Sequence, residues 1–98
     1  MERMSTSKRV CVITGATGGI GLATAIAMAR RGHALRVIGR SLAKLEATRS
    51  ALAKETSDVA VLRADLSSLA SVRACASELL ARDEPIHVLI NNAGVWHP

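Results

Sequence analysis

Aromatic residues are almost absent from this sequence: it has no phenylalanine and no tyrosine, and Trp96 is its only aromatic residue. Because apolar residues still make up 49% of the 98 positions, we expect a core of valine, isoleucine, leucine and alanine. Such a core suits parallel strands that are buried on both faces. The lack of aromatic side chains for base stacking also argues against a nucleic-acid-binding protein.

Cysteine is scarce as well, with only Cys11 and Cys75, far apart in the chain. This spacing favours two buried or half-buried thiols in a reducing compartment over a disulfide or a metal site. No metal is expected at the histidines, which we interpret as structural or surface residues: His33, His87 and His97.

The sequence also lacks an apolar run long enough to span a bilayer and, in residues 1–8, the apolar stretch of a signal peptide. We therefore expect a flexible leader over residues 1–8, one small domain over residues 9–98 and a cytoplasmic location.

Charge is present but not clustered. The formal net charge is +5, and basic residues are spread from Arg3 to Arg82 without a run of five or six. Two interpretations are compatible with this spread: a solvated surface, or attraction for a polyphosphate ligand.

Four short apolar runs alternate with three helical patterns. The strands are predicted over residues 9–14, 34–39, 58–63 and 86–90, and the helices over residues 19–31, 42–54 and from the cap at Ser67 or Ser68 to Arg82. This α/β alternation predicts right-handed crossovers and a parallel sheet in the order 3-2-1-4. A ligand crevice is then expected where the carboxyl ends of strands one and four meet.

The helical periodicity also predicts which side chains face the core. The inward positions are expected at Ile20, Ala23, Ile26 and Ala27 on helix one, at Leu42, Leu45 and Leu52 on helix two, and at Leu69, Val72, Ala76, Leu79 and Leu80 on helix three. With a single helix on one face, strands one and four should expose apolar side chains, and strand four should be a bare edge. We therefore expect marginal stability or self-association through that face.

A glycine-rich turn joins strand one to helix one. Gly15, Gly19 and Gly21 have the spacing G-x-x-x-G-x-G, which suits a tight turn, a close backbone approach to a pyrophosphate, and close packing of the helix. Backbone N–H groups at the helix start then face the phosphates. A plain structural turn remains the alternative, and Gly15, Gly18 and Gly21 also fit the spacing G-x-x-G-x-x-G.

Three motifs in order resemble those of the short-chain dehydrogenase/reductase family. Residues 14–21, TGATGGIG, resemble its TGxxxGIG cofactor motif; Asp65 and Leu66 resemble its adenine-side aspartate segment; residues 91–94 match its NNAG motif. NNAG favours the shorter, reductase type of member. The chain is most similar to the retinol dehydrogenase-like and protochlorophyllide reductase-like branch, over about residues 9–95.

The resemblance implies an incomplete, Rossmann-type half of a doubly wound domain that binds a nicotinamide dinucleotide. The cofactor contacts it implies are Thr14, Gly15, Thr17, Gly18, Gly19, Ile20, Gly21, Asp65, Leu66, Asn91, Ala93 and Gly94. Asp65 is expected to accept from the adenine amino group, with a helix-capping or loop carboxylate as the alternative. Asn91 is expected to tie the sheet together, and Ala93 and Gly94 to present backbone beside the ribose.

The end of strand two bears on the choice of cofactor. An NAD site places an acidic residue about 20 positions after the last motif glycine, and Gly39 occupies that slot here, followed by Arg40. An arginine can bind a 2′-phosphate in bidentate fashion. We therefore favour NADP(H) over NAD(H). Arg40 with Ser41 would have to hold the 2′-phosphate largely unaided, because the position that is sometimes basic in NADP-using relatives is occupied here by Gly18. Arg40 as a plain surface charge is the alternative.

The family's hydride transfer uses a tyrosine as acid and base, a lysine that lowers its pKa, and a serine and an asparagine that orient the substrate. This sequence has no tyrosine and stops at Pro98, so no residue receives a catalytic role. We expect the N-terminal portion of an NADP(H)-dependent oxidoreductase, inactive by itself. The alternatives are a non-catalytic dinucleotide-binding module and an interaction module that pairs with a full-length relative.

Overall fold

The structure, a computed structural model, describes residues 9–92. In this range four parallel strands form one sheet in the order β3-β2-β1-β4, as predicted. The strands are β1 Val10–Thr14, β2 Ala34–Gly39, β3 Val59–Arg63 and β4 Val88–Asn91. The helices between them are α1 Gly19–Arg30, α2 Leu42–Leu52 and α3 Leu69–Ala81.

Local signals in the sequence set most of these boundaries. Ser41 and Ser68 cap α2 and α3, each accepting a backbone N–H through its hydroxyl oxygen, which satisfies one of the donors left open at a helix start. Gly32 follows α1 with a φ of 90°, in the left-handed region where glycine is favoured. The largest difference from the prediction is β4, which begins at Val88 instead of residue 86 and extends to Asn91, since its ladder with β1 runs from the pair Cys11–Val88 to the pair Thr14–Asn91.

The sheet is buried on both faces at its centre, since each face packs against helices. One face joins α1 and α2 through Ile13, Leu35, Val37, Leu45 and Leu52, among others. The other joins α3 through Val10, Val12, Ile38, Leu62 and Cys75. Both cysteines are buried free thiols, as predicted, and burial raises the pKa of each.

The predicted face of α1 is largely wrong. Ile20 is 80% exposed and Ala23 and Ala27 are exposed as well, whereas Ile26 is half-buried against the core. The buried side of the helix consists of small residues four apart, namely Gly21, Ala25 and Ala29. Because α1 is apolar nearly all round, its periodicity could not distinguish the face that packs on the sheet. Small residues on the packed face let the helix lie close to the strands.

The other two helices are partly as predicted. On α2, Leu45 and Leu52 are fully buried, but Leu42 is 54% exposed and Thr48 is buried instead. On α3, Cys75 is buried, with Val72 and Leu79 half-buried. The prediction is wrong for Leu69 and Leu80, which are exposed, and for Ala76. None of the three helices in residues 9–92 is long and apolar enough to cross a membrane.

The expected exposure of apolar strand residues is confirmed for β4 and wrong for β1. Leu89 of β4 is 68% exposed, whereas Val12, its neighbour in the β1 ladder, is 1% exposed. On that face Cys75 and Leu79 of α3 form one apolar cluster with Val10 and Val12 of β1, and no described residue of β4 belongs to this cluster.

A buried arginine fastens the turn before β4 to the centre of the sheet. Arg36 of β2 is 2% exposed. Its Nε and Nη2 donate to the carboxylate of Glu84 at 2.6 and 3.0 Å, and its Nη1 donates to Asp58 Oδ1 at 2.9 Å. Because Glu84 lies between α3 and β4, this cluster fixes how β4 enters the sheet. The hydrogen bonds from Arg36, assisted by Arg82, lower the pKa of Glu84 to about 2 against the opposing effect of desolvation.

This ion pair predicts an acid-sensitive contribution to stability. Because the pKa of Glu84 is lowered from 4.5 in the fold, the pair stabilises the folded chain above that value and loses its effect as the pH falls toward 2. We expect Glu84→Gln to reduce the free energy of unfolding by about 1.5–3 kcal/mol near neutral pH. The difference from the parent chain should disappear near pH 2, as measured by urea unfolding across this range.

A matched control is Glu46→Gln, which removes the exposed pair between Glu46 and Arg49 on α2. We expect it to change the free energy of unfolding by less than about 1 kcal/mol. Equal stability of Glu84→Gln and the parent chain at neutral pH would contradict a structural role for the Arg36 cluster.

Candidate functional site

The residues predicted to form the site converge on one edge of the sheet. The four strands are parallel and end at Thr14, Gly39, Arg63 and Asn91. The glycine turn, the Arg40–Ser41 segment, the Asp65–Leu66 segment and Asn91 each follow or close one of these strands. The topology therefore brings the described parts of the three sequence motifs to the edge of the sheet where parallel α/β sheets bind ligands.

A hydrogen-bonded clamp joins the ends of β1 and β4. The hydroxyl of Thr14 donates to Oδ1 of Asn91 at 3.0 Å and accepts the backbone N–H of Asn92 at 3.1 Å. The side chain of Asn92 donates through Nδ2 to the carbonyl oxygen of Gly15, also at 3.1 Å. Asn91 thus ties the two strands together, as its predicted structural role requires.

Asn92 is a site residue that the sequence analysis did not single out. Its side chain holds the first carbonyl of the glycine turn, and a Cβ built on Gly21 would lie 2.5 Å from its Nδ2. The available signal was its position directly after Asn91, in the residues that follow a strand predicted to lie beside β1. Only the register shows that this position faces Gly15.

Three glycines of the turn are required by geometry. Gly15 and Gly19 have φ values of 71° and 58°, in the left-handed region that side chains disfavour. Gly21 has no room for a side chain, because its Cβ would collide with the carbonyl oxygen of Gly15. Gly18 is different: its φ of −179° is extended backbone that any residue adopts. The geometry therefore fits the G-x-x-x-G-x-G spacing better than the alternative through Gly18.

The start of α1 is open and lacks a side-chain cap. Its N-cap residue, Gly18, provides no side-chain hydrogen bond, in contrast to Ser41 and Ser68 on the other two helices. Within residues 9–92, a Cβ built on Gly18 or Gly19 would meet nothing within 4 Å. Backbone N–H groups at such a helix start can bind an anion, and the helix dipole favours negative charge there.

The ends of β2 and β3 carry charged groups. Arg40 is exposed directly after β2. Ser41 uses its Oγ to accept the N–H of Lys44 at 3.3 Å, so its hydroxyl oxygen caps α2. A Cβ on Gly39 would lie 3.0 Å from Cδ2 of Leu45. A side chain at this position would require Leu45 to shift by a few tenths of an ångström, whatever its charge.

Asp65 forms a tight turn with Ser67. Its Oδ1 accepts the backbone N–H of Ser67 at 3.0 Å and the hydroxyl at 2.6 Å. These hydrogen bonds, with a smaller contribution from the charge of Arg40, lower the pKa of Asp65. The carboxylate therefore plays the loop-forming role that the sequence analysis kept as an alternative. No other hydrogen bond to this carboxylate is made within residues 9–92, so its Oδ2 can still accept from a ligand.

The remaining predicted positions are placed as follows. Thr17 is half-buried, with its methyl group beside Gly39; Ile20 and Leu66 are exposed at the same edge. Ala93 and Gly94 lie outside the described residues, as do His97 and the predicted leader. Within residues 9–92, no group of three or more His, Cys, Asp and Glu side chains is placed to hold a metal ion.

The chain is similar to known proteins over most of its length. The chain is 45% identical over 89 residues to retinol dehydrogenase 12 of Mus musculus, an alignment that covers 89% of this chain but 28% of that protein. The chain thus spans about a quarter of the length of this relative.

Among the solved structures of similar fold, some contain NADPH and others contain NAD⁺. An actinorhodin polyketide ketoreductase with NADPH matches with a TM-score of 0.81 and 31% identity, over 90% of this chain and 34% of that one. An NAD⁺-bound xylitol dehydrogenase matches with a TM-score of 0.82 and 30% identity, over 89% and 34%. The family model for short chain dehydrogenases matches residues 9–98. On this match, the chain belongs to the short-chain dehydrogenase family, in its retinol dehydrogenase-like branch.

Proposed function

We propose that residues 9–98 bind NADP(H) and form the N-terminal, cofactor-binding portion of an oxidoreductase that interconverts an alcohol and a carbonyl compound. The observation that carries this proposal is the open start of α1. Its first turn lacks a side-chain cap, the space above Gly18 and Gly19 is clear, and the glycines that shape it are held by the β1–β4 clamp.

The turn fits a pyrophosphate for two physical reasons. A phosphate oxygen can come close to the backbone N–H groups because neither Gly18 nor Gly19 carries a side chain, and the positive end of the helix dipole points toward it. The clamp keeps the carbonyl of Gly15 bonded to Asn92. That carbonyl is therefore held on the inner side of the turn, and the N–H groups of α1 can face the ligand.

The preference for NADP(H) rests on the end of β2. A carboxylate in the Gly39 slot would bond a ribose 2′-hydroxyl and repel a 2′-phosphate, but glycine occupies this slot and no carboxylate is present there. Arg40 follows it, exposed, and a guanidinium can bind a phosphate with two parallel hydrogen bonds. The similar solved structures include NADPH and NAD⁺ complexes, so family membership alone does not decide between the two cofactors.

A bound nicotinamide would supply the hydride that passes between cofactor and substrate. The residues of this chain bind and orient that cofactor: the glycine turn at the pyrophosphate, Arg40 at the 2′-phosphate, and Asp65 beside the adenine. We propose no catalytic acid or base among them. The alcohol or carbonyl class of the substrate is inferred from the relative named a retinol dehydrogenase.

A pair of glycine substitutions separates binding from backbone strain. Gly19 and Gly32 both have positive φ, and a Cβ on either meets nothing within 4 Å. Gly19→Ala and Gly32→Ala should each lower the stability by about 1–2 kcal/mol through left-handed strain. Only Gly19→Ala should also weaken NADPH binding, by about tenfold or more, which corresponds to 1.4 kcal/mol or more, because its methyl group enters the pyrophosphate space. Fluorescence titration of folded variants measures the affinity. Equal affinities of the two variants for NADPH would refute the phosphate site.

Substitution of Arg40 tests the choice between NADP(H) and NAD(H). Arg40→Ala should weaken NADPH binding by about one to two orders of magnitude, since a hydrogen-bonded charge contributes about 1.5–3 kcal/mol, and should change NADH binding little. Arg31→Ala is the matched control, because Arg31 is also exposed but follows α1 at the opposite edge of the sheet. An unchanged ratio of the NADPH and NADH dissociation constants in Arg40→Ala would refute the preference.

A further inference from the structure

Arg63 is the last residue of β3 and is exposed at the same edge of the sheet as Arg40. Its Cα pairs with that of Gly39 in the parallel ladder. Its Nε donates to the carbonyl oxygen of Arg40 at 3.2 Å. The sequence analysis left Arg40 with Ser41 to hold a 2′-phosphate largely unaided, and the fold brings a second guanidinium to this place.

Arg40 and Arg63 differ from four other arginines in that no described carboxylate pairs with them, a property they share with Arg9, Arg31 and Arg73. Arg30, Arg36, Arg49 and Arg82 each form an ion pair with a carboxylate. Within residues 9–92, neither Arg40 nor Arg63 forms one. The acidic group near Arg40 is Asp65, whose Oδ1 is occupied by Ser67. With two arginines and this one carboxylate at the ends of β2 and β3, positive charge is in excess there.

The bond to Arg40 also orients the Arg63 side chain. With Nε held by a backbone carbonyl, the two Nη groups keep their N–H donors for another acceptor, and within residues 9–92 no hydrogen bond from them is found. A phosphate monoester carries about −1.5 to −2 charges at neutral pH. Two guanidinium groups therefore match its charge better than one, and each offers forked donors to its oxygens.

We propose that Arg63 is a second specificity-determining residue for NADP(H), which binds the 2′-phosphate together with Arg40. This inference rests on the proposed function and extends it from one cation to two. Arg63 contributes little to NAD(H) binding, because the 2′-hydroxyl of that cofactor carries no charge to attract it. The preference for NADP(H) then depends on the pairing of β2 with β3 as well as on the residue that follows β2.

The test is a double-mutant cycle on the full 98-residue chain. NADPH and NADH are titrated against the parent chain, Arg63→Ala, Arg40→Ala and the double variant, with Arg31→Ala as control. We expect Arg63→Ala to weaken NADPH binding about tenfold, equivalent to 1.4 kcal/mol, and to change NADH binding by less than about twofold. The control variant, Arg31→Ala, should bind NADPH within about twofold of the parent chain. Arg63→Lys should retain part of the NADPH affinity, because it keeps the charge but loses the fork.

The cycle distinguishes direct contact from an effect through Arg40. If Arg63 binds the phosphate itself, Arg63→Ala still weakens NADPH binding in the Arg40→Ala background. Loss of its effect in that background would overturn the proposal, as would equal weakening of NADPH and NADH. If Arg63→Ala binds NADPH as tightly as the parent chain while Arg40→Ala binds it more weakly, only this inference is overturned. If the folded parent chain binds neither cofactor, both this inference and the proposed function are overturned.

Discussion

The candidate site depends on the hydrogen bonds made by the hydroxyl of Thr14. It bonds to two consecutive asparagines at the end of β4, while the second of them holds the carbonyl of Gly15. These hydrogen bonds connect the carboxyl-terminal ends of β1 and β4 to the turn that follows β1, so the pairing of the strands and the conformation of the turn depend on each other. Since Gly21 has no space for a side chain under that carbonyl, the position of α1 follows as well. One strand end, one turn and one helix start are set by this small network.

The two edges of the sheet use charge differently. Near the amino-terminal ends of the strands, Arg36 is buried and forms ion pairs with Asp58 and Glu84. These ion pairs hold the residues that lead into β4. At the carboxyl-terminal edge, Arg40 and Arg63 form no ion pair within residues 9–92. Buried charges are kept only when they are paired, whereas exposed ones remain available to attract an anion. Its ion pairs support a structural role for Arg36, whereas the binding role proposed for Arg40 and Arg63 rests on their place at the carboxyl-terminal edge of the sheet.

The sequence was sufficient for the topology, because alternating apolar runs, helix caps and glycines are local signals; the location of the site stays a prediction. It failed where the answer depends on neighbours distant in the chain. The packed face of α1 was missed because its residues are apolar on nearly every side. Arg63 and Asn92 were missed because only the strand register places them beside Arg40 and Gly15. The cytoplasmic location and self-association through the uncovered face of the sheet stay predictions.

The central claim is that the turn after β1 and the cations after β2 and β3 bind one ligand, NADP(H). The most direct measurement is calorimetric titration of the folded 98-residue chain with NADPH and with NADH under the same conditions. We predict binding of both, with NADPH tighter by about tenfold or more, since both share the pyrophosphate and only one carries the 2′-phosphate. Equal affinities, or the absence of binding by either cofactor to the folded chain, would contradict it.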